Sequence, residues 1–514
     1  MSIKDLLLPL GLALLTVWGI NYFWGPRSTS AGDQAQVVSG QIFVAPKERQ
    51  EFAPLNKEID FIDVRRPGEP TITEIETKGA LYQFSTEGAT LERLEFRRQR
   101  GDVLTTIFPL GEHERERRCF LIAFQEKSPF FYTLQAHNTT ALRHELIYQA
   151  ETDQAFVQKK YTLYDATYKI DLEVTVKPKN TAITTRIFYP APVVPDIAKY
   201  DVISGIYNNQ KGSVEKTARA SLNLQQGWFS PTLFGIEDRY FTHAMVADPN
   251  NFARRAYYTT AEQTGLTAIL EAAPVTVDTT WKVSFYCGPK EQESFAVVDP
   301  RLEQTLDYAG IFLGPISRVL LYILKLLYSL VNNYGIAIIL LTLLIKLLLL
   351  PFTFKSDEGM KKRLEFDKKL KYLQQKYKDD PDMLARERAE LVKKHGMPGL
   401  ASCLPLLLQL PIFIALSRVL SGSIELYRAP FGGWIKDLSM PDQYYVLPVL
   451  LALSMILQAL TADKSQRWSL LAMALIFGAI TANMAAGLTL YILMNALLSV
   501  LQTYLINKAR SLWR

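Results

Sequence analysis

Histidine and cysteine are scarce in this chain of 514 residues, which has five of the first and three of the second. The arrangements that turn such residues into chemistry are missing as well. There is no H-E-x-x-H helix, no glycine-rich phosphate loop and no G-x-S-x-G elbow, so metal-dependent hydrolysis, nucleotide hydrolysis and serine acyl transfer have no candidate. Ser213 and Lys216 match S-x-x-K, but no companion motif accompanies them and the match is read as chance. The reading is of a protein that is not an enzyme and needs no cofactor or metal. Three cysteines cannot build a disulfide framework. Cys119 and Cys287 fall in one β-rich region, where a bonded pair and two buried thiols both fit, and Cys403 sits in an apolar run. A strong charge of one sign is also lacking: 57 Lys+Arg against 51 Asp+Glu leave a net +6, which gives no signature of direct nucleic-acid binding.

What the chain does have is long apolar runs, unevenly placed. Leu6 to Trp24 is a 19-residue, predominantly apolar run that follows Lys4 and Asp5, long enough to span a hydrocarbon core of roughly 30 Å. Its length, and the interface-favouring Trp18, Tyr22, Phe23 and Trp24 at its end, favour an uncleaved anchor over a signal peptide. Residues 25–55, rich in Ser, Ala, Gly and Gln, read as a flexible linker. Residues 56–305 read as a β domain. From Tyr168 to Lys177 every second residue is apolar, and Trp281, Val283, Phe285 and Cys287 repeat the pattern, which predicts an antiparallel sandwich.

Residues 306–333 are expected to hold an amphipathic helix lying at the membrane interface, because Arg318, Tyr322, Lys325 and Ser329 share one helical face. Spanning helices are predicted at 334–354, 399–421, 444–462, 468–485 and 487–506, six with the anchor at 1–24. The fold class expected is therefore mixed: a polytopic α-helical membrane bundle over 334–514 plus an all-β domain. Loop 355–397 carries 13 Lys+Arg against 9 Asp+Glu, while 423–442 carries 2 against 3. By the positive-inside rule the first is cytoplasmic, which puts both termini inside and the β domain outside. Within 355–397, apolar positions alternate with charges on either side of Asp379-Asp380-Pro381-Asp382, predicting a cytoplasmic helical hairpin. Its functional reading is a docking arm for an incoming chain, a ribosome or a targeting factor; a solvated loop without a partner is the plainer alternative.

Lys346 stands inside the apolar run Ile336–Leu350. An ammonium there costs roughly 2.5–3.5 kcal/mol on insertion scales, so it either snorkels to the cytoplasmic interface or faces a wet groove. Thr342 lies one turn before it, Gln409 sits mid-span, and Tyr491 and Asn495 are one turn apart; each alone is more often helix-to-helix glue than a site. Pro405 and Pro411 would free backbone carbonyls where a helix bends around a cavity.

The segment Ser402-Cys-Leu-Pro-Leu-Leu-Leu-Gln-Leu-Pro-Ile-Phe-Ile-Ala-Leu416, with Gly422-Ser-Ile-Glu-Leu426, Ala429-Pro-Phe431, Trp434-Ile-Lys-Asp-Leu438, Tyr444-Tyr-Val-Leu-Pro448, Gly487-Leu-Thr-Leu-Tyr491 and Asn495, closely resembles the YidC family of membrane protein insertases. Gly227-Trp228 and Gly235-Ile-Glu-Asp-Arg-Tyr-Phe241 resemble the periplasmic super-sandwich domain of its Gram-negative members. The resemblance implies a five-helix core in the bacterial inner membrane with a hydrophilic groove closed toward the periplasm. One groove cation attracts acidic residues of the incoming chain; it is usually Arg, and Lys346 stands at the matching position, keeping the charge and losing the planar fork. Thr342, Gln409, Tyr491 and Asn495 carry over as groove positions. Implied partners are nascent membrane proteins, membrane lipid, the Sec translocon and, through the hairpin, a ribosome or targeting factor. An anion transporter or channel is the main rival, since a buried cation in a bundle also suits an anion path; internal repeats, which such proteins show, are not seen. A periplasmic carbohydrate-binding sensor is the third reading.

Overall fold

The structure is a computed structural model. It describes residues 60–61, 70–98, 101–109, 118–124, 127–179, 181–193, 203–208, 212–260, 265–306, 313–378, 380–395, 400–461 and 464–512. The expected anchor at 1–24 and linker at 25–55 lie outside the described residues. The chain divides into two compact units, one of strands ending at Leu306 and one of helices after it.

The strand unit is a sandwich. Its larger sheet has nine strands in the order Val214–Ala218, Ser204–Asn208, Phe234–Glu237, Phe241–Ala247, Thr279–Pro289, Lys169–Pro178, Ala155–Tyr164, Arg143–Glu151 and Thr133–Thr139. Every neighbouring pair in it is antiparallel. A five-stranded and a four-stranded sheet cover it. The layers meet through aromatic pairs: Phe285 with Phe120 at 4.8 Å and Tyr189 at 5.3 Å, Phe234 with Tyr258 at 4.4 Å, and Tyr161 with Phe84 at 4.7 Å. Rings of this size dominate such an interface because each removes a large apolar area from water. The alternation expected over 168–177 holds, with Ile170, Leu172, Val174 and Val176 buried and Lys177 exposed. Asp171 is buried too, because Ser284, Tyr164 and Lys169 bond its carboxylate at 2.7–2.9 Å.

Lys159 breaks the apolar run of inward positions Ala155, Val157, Tyr161 and Leu163. Its ammonium donates to the carbonyls of Gly88, Ala89 and Phe120 at 2.6–2.8 Å. Ala89 and Phe120 are left-handed, at φ 45° and 65°, so the lysine pins two turns whose backbones L-residues rarely adopt. Cys119 and Cys287 are both buried free thiols; the side chain of Cys403 lies outside the described residues.

In the strand unit a short helix, α1 (Gln292–Val298), ends the sandwich. The helical unit comprises α2 (Gly314–Val331), α3 (Tyr334–Lys376), α4 (Pro381–His395), α5 (Leu400–Gly422), α6 (Val446–Thr461), α7 (Lys464–Thr481) and α8 (Ala486–Leu512). In α2 the residues Ser317, Leu320, Leu321 and Leu324 turn inward, while Arg318, Tyr322 and Ser329 are exposed. Lys325, at the edge of that polar face, pairs with Glu425 at 2.9 Å. By length and composition α2 and the Tyr334–Pro351 part of α3 are long and apolar enough to cross a membrane; 409–422, 446–460, 470–481 and 486–502 form shorter apolar helices.

α3 runs without interruption from the apolar segment expected at 334–354 into the first arm of the hairpin. The residues beyond Phe354 are mostly Lys, Glu, Leu, Arg and Gln, all good helix formers. The change from apolar to charged is thus a change of surroundings, not of conformation. A turn at Tyr377 and Lys378 and then α4 complete the hairpin, with Asp380 Oδ1 accepting from the Met383 N–H at 3.0 Å.

Candidate functional site

α3, α5 and α8 pack around one core that includes Ile338, Leu341, Ile345, Leu416, Leu420, Leu488 and Tyr491. One end of this core is plugged by the loop between α5 and α6. Leu426, Ala429, Ile435 and Leu438 from that loop are buried in the same cluster, and the amides of Ala486 and Gly487, opening α8, donate to Met440 and Leu438 carbonyls at 2.7 and 2.8 Å. Asn333 caps α3 by accepting from the Ile336 N–H at 3.1 Å, and its amide donates to the Phe431 carbonyl at 2.8 Å. Asp442 caps α6, accepting from Leu447 N–H at 2.7 Å and from the Trp434 indole at 3.1 Å. Gly335 meets the plug directly, since a Cβ there would run into the Phe431 ring.

The outer faces of the bundle are apolar. Leu343, Leu344, Leu347 and Leu348 on α3, Val449, Leu453 and Leu457 on α6, Leu475 on α7, and Leu497 and Leu501 on α8 are all exposed. A belt of this extent has no place in water, where contiguous apolar patches stay small, and fits hydrocarbon.

A polar strip runs along the inner side of α8. Tyr491, Asn495 and Ser499 follow at one-turn intervals. Lys346, on α3, donates to Ser499 Oγ at 2.8 Å, and the Ser499 hydroxyl donates in turn to the Asn495 carbonyl at 2.8 Å. Lys346 is half-buried, and among the described residues no carboxylate pairs with it. Twelve residues separate it from Tyr334, about 18 Å along the axis from the plugged end. Gln409, on α5, donates to the Tyr491 hydroxyl at 2.6 Å, and the buried Tyr491 ring stacks near Phe413 at 6.4 Å.

Of the five residues singled out from sequence, the structure joins Gln409 to Tyr491 and ties Lys346 to α8 through Ser499, one turn beyond Asn495, of which only the main-chain carbonyl takes part. Thr342 is buried on the same face as Lys346, with its hydroxyl bonded to the Ile338 carbonyl of its own helix at 2.7 Å. Sequence reasoning missed Ser499. The signal was present, as Ser499 is one turn beyond Asn495. It also missed Gln458, whose amide ties α6 to the Ala496 carbonyl of α8 at 3.1 Å. Both are small or neutral groups that stand out only once their facing helix is known.

Two family models cover most of the chain: one described as 60Kd inner membrane protein matches residues 326–511, and one described as YidC periplasmic domain matches residues 73–323. A membrane protein insertase YidC of Geobacter metallireducens is 26% identical over 544 aligned positions, covering 98% of both chains. That of Francisella tularensis subsp. novicida is 33% identical over 378, covering 68% of each. A crystal structure of an active YidC insertase with its first transmembrane domain resolved aligns over 87% of this chain and 95% of its own, at 16% identity and a TM-score of 0.35. The matches give no support to an anion transporter or channel. The chain has the periplasmic β-sandwich and helical membrane region that the resemblance led us to expect, and it belongs to the YidC family of membrane protein insertases.

Proposed function

We propose that this protein receives nascent hydrophobic segments at the cytoplasmic face of the inner membrane and passes them into lipid along the strip formed by Lys346, Ser499, Asn495, Gln409 and Tyr491, without nucleotide hydrolysis. The observation that carries this reading is Lys346: one cation half-buried in an apolar bundle, held by a neutral hydroxyl. An unpaired ammonium at membrane depth costs several kcal/mol, a cost retained only where a polar group or water must be met. With the far end plugged, the strip is reached from the end where α3 continues into the hairpin. An acidic or polar flank of the client is drawn to the ammonium while its apolar residues stay against lipid-facing Leu343, Leu347 and Leu501. Burial of those residues, at roughly 25 cal/mol per Å² removed from water, drives release.

In this reading both termini and the hairpin at 355–397 are cytoplasmic and α2 lies at the outer interface. Thr342 supports the helix turn that carries Lys346. The hairpin is the arm for a ribosome or targeting factor, and the Sec translocon is a partner for larger clients.

The test is reconstitution into liposomes, scoring protease-protected insertion of a small single-spanning client. Wild type and Lys346→Arg should insert, Lys346→Ala should be reduced several-fold, and Lys346→Glu should fail. If wild type gives no protection above empty liposomes, insertion by this chain alone is refuted. If Lys346→Glu inserts as well as wild type, the groove charge has no role.

A further inference from the structure

The four-stranded sheet, made of Ile72–Glu76, Ala80–Ser85, Thr90–Arg97 and Val103–Ile107, carries a β-bulge in each of two strands, and the extra residue of each lines one cavity. Gln83 opposes Arg93 and Phe84 opposes Leu91, which leaves Glu92 as the extra residue of its strand. Leu94 opposes Ile107 and Glu95 opposes Thr105, which leaves Thr106. An extra residue breaks the alternation of faces and re-aims side chains, so Thr106 and Ile107 are consecutive yet both buried. The cavity, of about 130 Å³, lies where this sheet meets the five-stranded one, and Glu92, Thr106, Arg118 and Pro190 are among its walls. Two main-chain bonds close that seam, from the Val193 N–H to the Thr106 carbonyl at 2.9 Å and from the Leu91 N–H to the Cys119 carbonyl at 3.0 Å.

Most of the wall is apolar, from Leu91, Ile107, Phe108, Pro190 and Ala191. Against it stand Glu92 Oε2 and Thr106 Oγ1, buried oxygens without a hydrogen-bond partner among the described residues. A buried polar atom left open calls for a missing partner. Here the open atoms are a carboxylate oxygen and a hydroxyl, so that partner is a donor. The Arg118 guanidinium bonds Glu87 at 2.9 Å and lies 3.9 Å from Glu92; it already faces two carboxylates, and an anion entering the cavity would meet both. A sugar fits no better, because two open oxygens and one ring, Phe108, are too few to clamp and stack a polyhydroxylated ligand. We propose that the cavity binds a primary ammonium on a short aliphatic stem. The ammonium donates to Glu92 Oε2 and Thr106 Oγ1, and the stem lies against Leu91, Ile107 and Pro190. An ammonium has three donors and no acceptor, and its bond to a carboxylate is charge-assisted. The size agrees: a cavity of roughly 150 Å³ takes benzene, and a butylammonium has one heavy atom fewer. A free alkylamine and the end of a polypeptide's lysine side chain share this chemistry.

The test is saturation-transfer NMR on the full-length protein in nanodiscs of neutral lipid, with empty nanodiscs subtracted and n-butylamine, 1-butanol and butyrate as probes. Butylamine should bind several-fold more tightly than butanol, and butyrate should not bind. Glu92→Gln should weaken butylamine by about tenfold, and Ala191→Leu, which fills the cavity, should abolish its signal. Butanol or butyrate binding as tightly as butylamine overturns the proposal, as does the absence of any butylamine signal or full binding by Glu92→Gln. The thermal midpoint of each variant reports whether it folds, and the ranking of the three probes on wild type decides the matter if a variant does not. Nα-acetyl-lysine methylamide separates the two sources. Displacement of butylamine by it identifies a polypeptide lysine and failure to displace identifies a free amine, and both outcomes uphold the ammonium site.

Discussion

At the scale of single residues, the strand unit depends on polar groups held where water cannot reach them. His243 is fully buried and its Nδ1–H donates to the Pro190 carbonyl at 2.9 Å, while Nε2 has no partner. Burial pushes its pKa down to about 4, against roughly 6.5 in an unfolded chain. Between those values, as pH falls from 6.5 toward 4, the unfolded state takes up a proton that the folded state refuses, so stability drops; the loss is at most about 3 kcal/mol and levels off below pH 4. Asp238, which burial pushes up to about 6 although it accepts from the Tyr240 and Phe241 amides, works in the opposite sense over most of this window. The clean readout is therefore a difference. His243→Gln should lose less of its thermal midpoint than wild type between pH 6.5 and 4.5, and equal losses would show that His243 does not titrate in this range. Lys159 illustrates what sequence leaves hidden. Its inward register could be read from the alternation of Ala155, Val157, Tyr161 and Leu163, but the three carbonyls that satisfy it come from residues 39 to 71 positions away.

Elements were more legible than their joints. The apolar period of the helices and the alternation of the strands are local, and both appear where expected. The continuation of α3 through Phe354 is hidden in composition, which turns from apolar to charged there while helix propensity does not change. The plug loop is another feature that composition does not reveal, since its Leu426, Ile435 and Leu438 are spread over a turn-rich segment. Its seating on α3 makes a prediction for the element. Gly335→Ala places a methyl against the Phe431 ring, with even its Cβ close, so overpacking should cost about 1–3 kcal/mol. Removing the ring in Gly335→Ala/Phe431→Ala should restore part of the loss, measured as the unfolding midpoint in nanodiscs. No effect of the single change would mean that the loop does not seat there.

For the whole molecule, topology is the testable quantity. The positive-inside argument puts the hairpin in the cytoplasm. Trypsin should then cut within 368–395 in inverted vesicles and leave that segment intact in spheroplasts, with the sandwich showing the reverse accessibility; cleavage of the hairpin in spheroplasts would invert the assignment. The sequence by itself determined that this is a membrane protein with an extramembrane β domain, because hydropathy and alternation are properties of consecutive residues. It also carried the motifs of the family and the lone cation at Lys346. Only the tertiary structure decided that Ser499 holds that cation, that Gln409 meets Tyr491, and that the α5–α6 loop plugs one end. Each of these joins residues far apart in the chain, and such contacts are set by how helices and sheets pack, which no local pattern encodes.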